Sequence, residues 1–414
     1  MNKRILFVDD EPMVLQGVQR SLRGMRAEWD IEVATSGLQA LELMERSPFD
    51  VVVSDMRMPG MDGASLLEKV KTKFPRTVRF VLSGQSDRET ILRSVGPTHQ
   101  YLSKPCDVEE LKQKLVHAFA LRDLLEDPVL KEIVSRLESV PSLPTLYIAM
   151  TQALQSPNVT VAELGHIIAQ DMGMSSKVLQ LANSAFFGLC CEVSNPTQAL
   201  SLIGIDNIRA LVLSVHVFSE LGAQLNQRLA FLWKHSFSTA AFAKIIAHSQ
   251  GSNQAVVDQA LSAGLLHDIG RLVLATACKE QYWEVLQKTA DKQVSISVVE
   301  QETFGCSHAE VGAYLLGLWG LPVPIIEAVA WHHKPSQAAL AGFSPVLAVH
   351  VADHTDQQMH HYFDENPTLD ADLIAHLGLK DRLEVWFMEC QNAELNHESS
   401  GLTDSGAAQN RVAK

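Results

Sequence analysis

At 414 residues the chain is too long for one ordinary hydrophobic core, so two or more domains are expected. Its 48 Asp and Glu against 34 Lys and Arg give a formal net charge of −14, which repels the nucleic-acid backbone and anionic lipid and argues against a DNA-binding output. No apolar run approaches the ~20 residues that span a bilayer, and no basic stretch precedes an apolar leader, so a cytoplasmic protein without membrane insertion is expected.

In chain order, the apolar run at residues 5–8 ends in Asp9 and Asp10, and a second lies at residues 31–34. A third, at residues 51–53, ends in Ser54 and Asp55, a fourth, at 80–82, in Ser83 and Gly84, and Tyr101 and Leu102 lead into Ser103, Lys104 and Pro105. Uninterrupted Val, Ile, Leu and Phe suit strands buried on both faces, and segments of helical period at residues 12–23 and 37–46 separate them. The pattern predicts an α/β fold, a doubly wound five-stranded parallel sheet, whose site lies beyond the carboxyl ends of the strands. Every polar residue just named falls there. Asp9, Asp10 and Asp55 offer hard oxygens for Mg2+, Asp55 is the natural nucleophile towards a phosphoryl group, and Lys104 and the Ser83 hydroxyl suit the transferred oxygens.

From Asp107 a helical pattern runs towards Leu125, and Asp127-Pro128 breaks it. Beyond this point the spacing is helical throughout and predicts an all-α second part. Thr160 and Glu163 form a capping box, and residues 171–173 form a stop before the next helix. Glu163, Asp171 and Lys177 read as solvated or capping residues. Residues 399–414 have no apolar face and read as a disordered tail.

Histidines are the second concentration of chemistry. His235, the pair His267-Asp268, His308, His332 beside His333, and Asp353 each lie on an apolar helical segment. Imidazoles and carboxylates gathered from several helices can hold one or two transition metals, Fe, Mn or Zn, whose bound water becomes a nucleophile near neutral pH. The alternative for any one of them is a buried imidazole that bonds helix carbonyls, and His248, His354, His360, His361 and His376 are read that way.

Residues 1–122, with Asp9-Asp10, the Asp55-Met-Arg-Met-Pro-Gly-Met-Asp-Gly segment, Ser83 and Lys104-Pro105, resemble a response-regulator receiver domain of flavodoxin-like fold. The resemblance implies phosphorylation of Asp55 by a sensor histidine kinase and Mg2+ held at Asp10 and Asp55 with Asp9 assisting. It also implies that Ser83 moves towards the phosphoryl group, that Tyr101 acts as the switch aromatic, and that receivers pair into a homodimer. Residues 140–355 resemble the HDOD branch of the HD phosphohydrolase superfamily, on Pro141-Ser-Leu-Pro, the Leu-Gln-Leu-Ala-Asn-Ser-Ala-Phe-Phe-Gly run at 179–188, Ala-Leu-Ser-Leu-Ile-Gly at 199–204, and Ala-Gly-Leu-Leu-His-Asp-Ile-Gly-Arg at 263–271. A linker helix at 123–139 and a helical extension at 356–398 complete the division. That resemblance implies a binding output acting on a downstream signalling protein rather than an enzyme. Cyclic di-GMP phosphodiesterase relatives carry Gly-Tyr-Pro after His-His-Glu, whereas here His332-His333-Lys334-Pro335 is followed by Ser-Gln-Ala, and Lys334 pointing inward would weaken cation binding. The rival reading keeps the histidine set as a receiver-gated, metal-dependent phosphohydrolase or phosphodiesterase acting on a nucleotide.

Overall fold

The structure is a computed structural model that describes residues 3–83, 98–104, 106–122, 127–137, 140–142, 144–156, 158–183, 192–205, 208, 219–220, 223–292, 294–338, 340–360 and 368–409. The N-terminal part runs β1 (Lys3–Val8), α1 (Pro12–Ser21), β2 (Trp29–Ala34), α2 (Gly37–Arg46), β3 (Val51–Asp55), α3 (Gly63–Lys73), β4 (Val78–Ser83), β5 (Gln100–Ser103), α4 (Val108–Arg122) and α5 (Pro128–Arg136). The five strands are all parallel, in the order 2-1-3-4-5, so each of the expected apolar runs lies in a strand of one doubly wound sheet. The order reverses between β1 and β3, and the acidic residues that end these two strands therefore flank the topological switch point.

Side chains alternate across the sheet with the two-residue period of a strand. Leu6, Val8, Val52 and Val81 face α2 and α3, where Ala40, Met44, Leu66, Leu67 and Val70 close a compact core. Ile5, Phe7, Val51, Val53 and Phe80 face the other way, towards Leu111, Leu115 and Phe119 of α4 and Leu130 and Val134 of α5. This second core does not end at α5. It continues without a break into the helical part, so the apolar side chains that hold α4 and α5 on the sheet also hold the two parts together, each fully buried one contributing about 1.5–3 kcal/mol.

The helical part comprises α6 (Pro144–Gln155), α7 (Val161–Ile168), α8 (Met172–Ala182), α9 (Pro196–Ile203), α10 (Ala223–Ser249), α11 (Gln254–Leu266), α12 (Ile269–Ala277), α13 (Lys279–Lys292), α14 (Ile296–Phe304), α15 (His308–Leu318), α16 (Val323–Trp331), α17 (Pro345–His360), α18 (Ala371–His376) and α19 (Arg382–Gln409). A two-residue parallel ladder, β6 (Pro141–Ser142) with β7 (Ser219–Glu220), adds to the expected helices. The motif at residues 179–188 is described only as far as Asn183, and the backbone of α19 carries the helix on into the stretch whose composition suggested a tail.

Local chemistry explains the starts of these helices. Asp127 accepts from the Val129 and Leu130 amides and starts α5, and Thr160 and Glu163 bond each other's backbone as the capping box that opens α7. Asp171 caps α8 by accepting from the Met174 amide at 2.8 Å, and its second oxygen accepts from the Trp233 indole at 3.2 Å. Lys177 departs from the expectation of a solvated residue. It is buried, with its ammonium 5.5 Å from the Trp319 ring centroid, and burial pulls its pKa down to about 7. Gly264 sits where a Cβ would lie 2.8 Å from Ala240 Cα, and this backbone-to-backbone approach of α11 and α10 brings their histidines into contact.

Candidate functional site

Among the described residues two clusters of reactive groups stand out, one at the sheet edge and one inside the helical part. At the sheet edge, Asp9 follows β1 and Asp55 ends β3, and both are buried, while Asp10 is more open. The three carboxylates place ligand oxygens within 4.8 Å of one another, a hard-oxygen set of the kind Mg2+ takes. The Lys104 ammonium bonds Asp9 at 2.8 Å and also Asp55, and so holds the mutual repulsion of the carboxylates in check. Backbone amides fix the other oxygens: Arg57 N–H donates to Asp55 at 3.1 Å and Glu11 N–H to Asp9 at 2.9 Å.

Burial pushes the Asp55 carboxyl above its ordinary range despite Lys104, and on Lys104 the bonds to Asp55 and Asp9 outweigh burial and raise the ammonium. Gly63 closes the floor of this site. A Cβ there would lie 2.2 Å from the Asp55 carbonyl oxygen, so α3 approaches β3 only because residue 63 has no side chain. Ser83 lies at the end of β4, beside the β3 end that carries Asp55, and Tyr101 lies in β5 three residues before Lys104; the side chains of Ser83 and Tyr101 fall outside the described residues.

In the helical part the structure brings together all six of the residues singled out in the sequence, from α10, the α11–α12 junction, α15, the C-cap of α16 and α17. His235 Nε2 lies 3.1 Å from His267 Nε2 and 3.2 Å from Asp353, and His308 Nε2 lies 3.1 Å from Asp268. His333, which the sequence reading noted but left out of the set, places its Nε2 3.0 Å from His308 Nε2. Within the cluster two groups, His308 with His332 and His333, and His235 with His267 and Asp268, each bring three ligand atoms within 4.8 Å of one another.

The outer shell has a consistent direction. His235 Nδ1 is held by Asp356 at 2.6 Å, His308 Nδ1 by Glu300 at 2.6 Å, His267 Nδ1 by the Gly264 carbonyl at 2.7 Å, and His332 Nδ1 by the Val329 carbonyl at 2.8 Å. With these four Nδ1 atoms tied outward, their Nε2 atoms point to the interior, the arrangement that surrounding carboxylates and carbonyls impose on metal-binding imidazoles. His332 Nε2 is buried and has no hydrogen-bond partner among the described residues. Nitrogen and carboxylate donors in this number fit Fe, Mn or Zn. Lys334 is exposed, so its charge is not directed into the cluster.

Charge is distributed unevenly. Burial opposes protonation of His235 and His308, but Asp353 and Asp356 around the first, and Glu300 and Asp268 around the second, push both up to about 10. His333 is driven down to about 3 by burial and by His308, and His332 also falls well below 6.5. Burial would raise Asp268, yet Arg271 at 3.0 Å and the nearby imidazoles hold it well below the usual carboxylate range. His360, read from the sequence as a buried imidazole that bonds helix carbonyls, instead bonds the second oxygen of Asp356 at 2.8 Å and reaches Glu394 on α19, so the cluster is tied to the surface through Glu394, His360 and Asp356.

The model of the response regulator receiver domain family matches residues 5–116, and that of the HDOD domain matches residues 140–335. An uncharacterized protein of Treponema pallidum (strain Nichols) is 28% identical over 205 residues, which cover 49% of this chain and 39% of that one. The transcriptional regulatory protein ZraR of Klebsiella oxytoca is 32% identical over 143 residues, 34% of this chain and 32% of that one. The chain thus spans well under half the length of these two relatives. Among solved structures, the MmoQ response regulator of Methylococcus capsulatus str. Bath is 25% identical, covers 60% of this chain and 98% of its own, and superposes with a TM-score of 0.46. Among the described residues no helix is long and apolar enough to cross a membrane.

Proposed function

The chain joins a response regulator receiver domain to an HDOD domain, and from that premise we propose a phosphorylation-controlled regulator in which Asp55 accepts a phosphoryl group and the helical domain is the output. The observation that carries this reading is Lys104 bonded at once to Asp9 and Asp55, with an Arg57 amide on the Asp55 oxygen that is thereby oriented. A carboxylate oxygen of Asp55 attacks the phosphorus of a phosphohistidine in line, the P–N bond breaks, and the imidazole leaves with its electron pair. Asp9, Asp10 and Asp55 would hold Mg2+, which would supply charge neutralisation for that transfer. Lys104 donates to a phosphoryl oxygen in exchange for its present carboxylate contacts, and that exchange, followed by Ser83 and Tyr101, is the conformational step. The partners on this reading are a sensor histidine kinase, a downstream signalling protein and a second receiver, in the cytoplasm. Asp55→Asn tests it: the variant should lose every spectroscopic response to acetyl phosphate or beryllofluoride, and an unaltered response would overturn the assignment.

One observation favours a second reading, a metal-dependent HD-type phosphohydrolase in the helical domain. The inward-facing Nε2 atoms, each with a fixed outer partner, and the unpartnered His332 Nε2 form a donor set more complete than packing requires. His235, His267, Asp268, His308, His332, His333 and Asp353 would hold the metal, which supplies a nucleophilic water when bound. Elemental analysis of tag-free protein separates the readings. One or two Fe, Mn or Zn per chain, lost in a His267→Ala/Asp268→Ala variant, sustains the second, and metal-free folded protein leaves the first alone.

A further inference from the structure

Helix α15 belongs to both halves of the molecule. Its first residue is His308 of the buried cluster, and its last turn rests on α4 and α5 against the receiver. That last turn ends in a Schellman motif: Leu321 N–H bonds the Leu316 carbonyl at 3.1 Å, Gly320 N–H bonds the Gly317 carbonyl at 3.0 Å, and Gly320 takes the positive φ of 71° the motif requires. The second lone pair of the Gly317 carbonyl accepts from the side-chain amide of Gln100 at 2.9 Å. Gln100 is buried, begins β5, and stands four residues before Lys104, so one short strand of about 13 Å joins the phosphoryl-site ammonium to the helix cap.

A second contact grips the same helix. The Tyr314 hydroxyl lies 3.3 Å from the Ser135 hydroxyl of α5, and the Ser135 carbonyl accepts from the buried Arg79 guanidinium of β4 at 2.7 Å and from His99 at 3.0 Å. At its other end α15 cannot slide independently of the cluster. A Cβ on Gly270 would lie 1.9 Å from the His308 carbonyl oxygen and 2.9 Å from Gly312 N, so α12 and α15 meet backbone to backbone two residues from Asp268. Contacts this close shift as units rather than deform.

We propose that α15 is the lever by which the receiver sets the geometry of the histidine cluster, with Gln100 and the Ser135–Tyr314 pair as its grip. The inference rests on the phosphoacceptor reading for its input, and it adds the route and the receiving residues. Displacing Lys104 pulls on β5, Gln100 moves the helix cap, and His308 moves against Asp268 and His333 at the far end, about 16 Å along the helix axis.

Hydrogen exchange on the full-length chain tests this, with and without beryllofluoride, for wild type, a Gln100→Ala/Tyr314→Phe variant, and Leu154→Ala on α6 as a control for general destabilisation. The reporter is the His308 amide, which donates to Glu300 at 2.8 Å. Without beryllofluoride, the double variant should speed exchange at His308 about fivefold or more while the control leaves it unchanged. With beryllofluoride, wild type should change exchange both at residues 55–63 and at His308, and the double variant only at residues 55–63. A double variant that matches wild type at His308 in both conditions overturns the lever. No response at residues 55–63 in wild type overturns the phosphoacceptor reading, and the lever then stands or falls on the unliganded comparison.

Discussion

Acidification probes the junction between sheet and helices through His99. Its Nδ1 lies 3.1 Å from the Arg79 amide, and its Nε2 lies 2.8 Å from the Arg79 guanidinium and 3.0 Å from the Ser135 carbonyl, so the ring faces donors on both sides and a single acceptor. A second proton has no acceptor to go to, and burial followed by the Arg79 charge holds the pKa well below 6.5. The unfolded chain takes up that proton near 6.5 and the folded chain does not, so the unfolded state binds more protons and stability falls as the pH drops below 6.5. The expected loss is under about 0.1 kcal/mol at pH 7.5 and about 1.4 kcal/mol at pH 5.5. A His99→Gln variant keeps a donor for Ser135 and cannot titrate. Urea unfolding of both proteins at the two pH values isolates the effect, because the cluster histidines titrate equally in each and cancel. Wild type should lose about 1.4 kcal/mol more than the variant between pH 7.5 and 5.5. Equal losses in the two proteins would refute a neutral, locked His99.

Three further outcomes follow from the two sites. Gly63→Ala forces a methyl group against the Asp55 carbonyl, so calorimetry should find the receiver destabilised by about 1–3 kcal/mol, and an unchanged transition would refute the close approach of α3 to β3. Lys104→Ala removes a positive charge from Asp9 and Asp55: Mg2+ should bind about 1 kcal/mol more tightly by titration calorimetry while beryllofluoride binds more weakly, and weaker Mg2+ binding would contradict the charge argument. Asp356→Asn weakens the outer hold on both His235 and His360, so zinc affinity measured against a chelating dye should fall about 10- to 100-fold, and an unchanged affinity would remove His235 from the donor set.

The sheet and its edge were legible because the signals are local. Each strand announces itself as a short apolar run, each run ends in its own polar residue, and the parallel topology gathers those ends at one edge without further information. Asp9, Asp55 and Lys104 meet for that reason. The six residues of the helical cluster were legible as types and order, but their outer shell was not. Asp356 lies one turn beyond Asp353 on α17 and could have been found by helical spacing, whereas Glu300 comes from α14 and reaches His308 only after two helices have packed. A carboxylate on a helix shows in the sequence as an acid on one face. Which imidazole it will orient depends on the tertiary fold.

Lys177 shows where the local sequence points the wrong way. A lone lysine reads as a solvated residue because burying an ammonium is costly, and that inference is sound for a helix with a polar face. Helix α8 carries Ser176, Lys177 and Gln180 on one face at helical spacing, yet every one of its eleven residues is buried. The fold encloses the helix on all sides, and a charged residue inside it has no water to turn to. The chain length of lysine then decides where the ammonium goes, and in this fold it reaches the face of Trp319, the C-cap of the helix that Gln100 also holds. Lys177, Gln100 and the Ser135–Tyr314 pair thus place buried polar groups along the C-terminal half of α15, where the two parts meet, and there an apolar contact would fix only the distance between the parts whereas directed bonds also fix register.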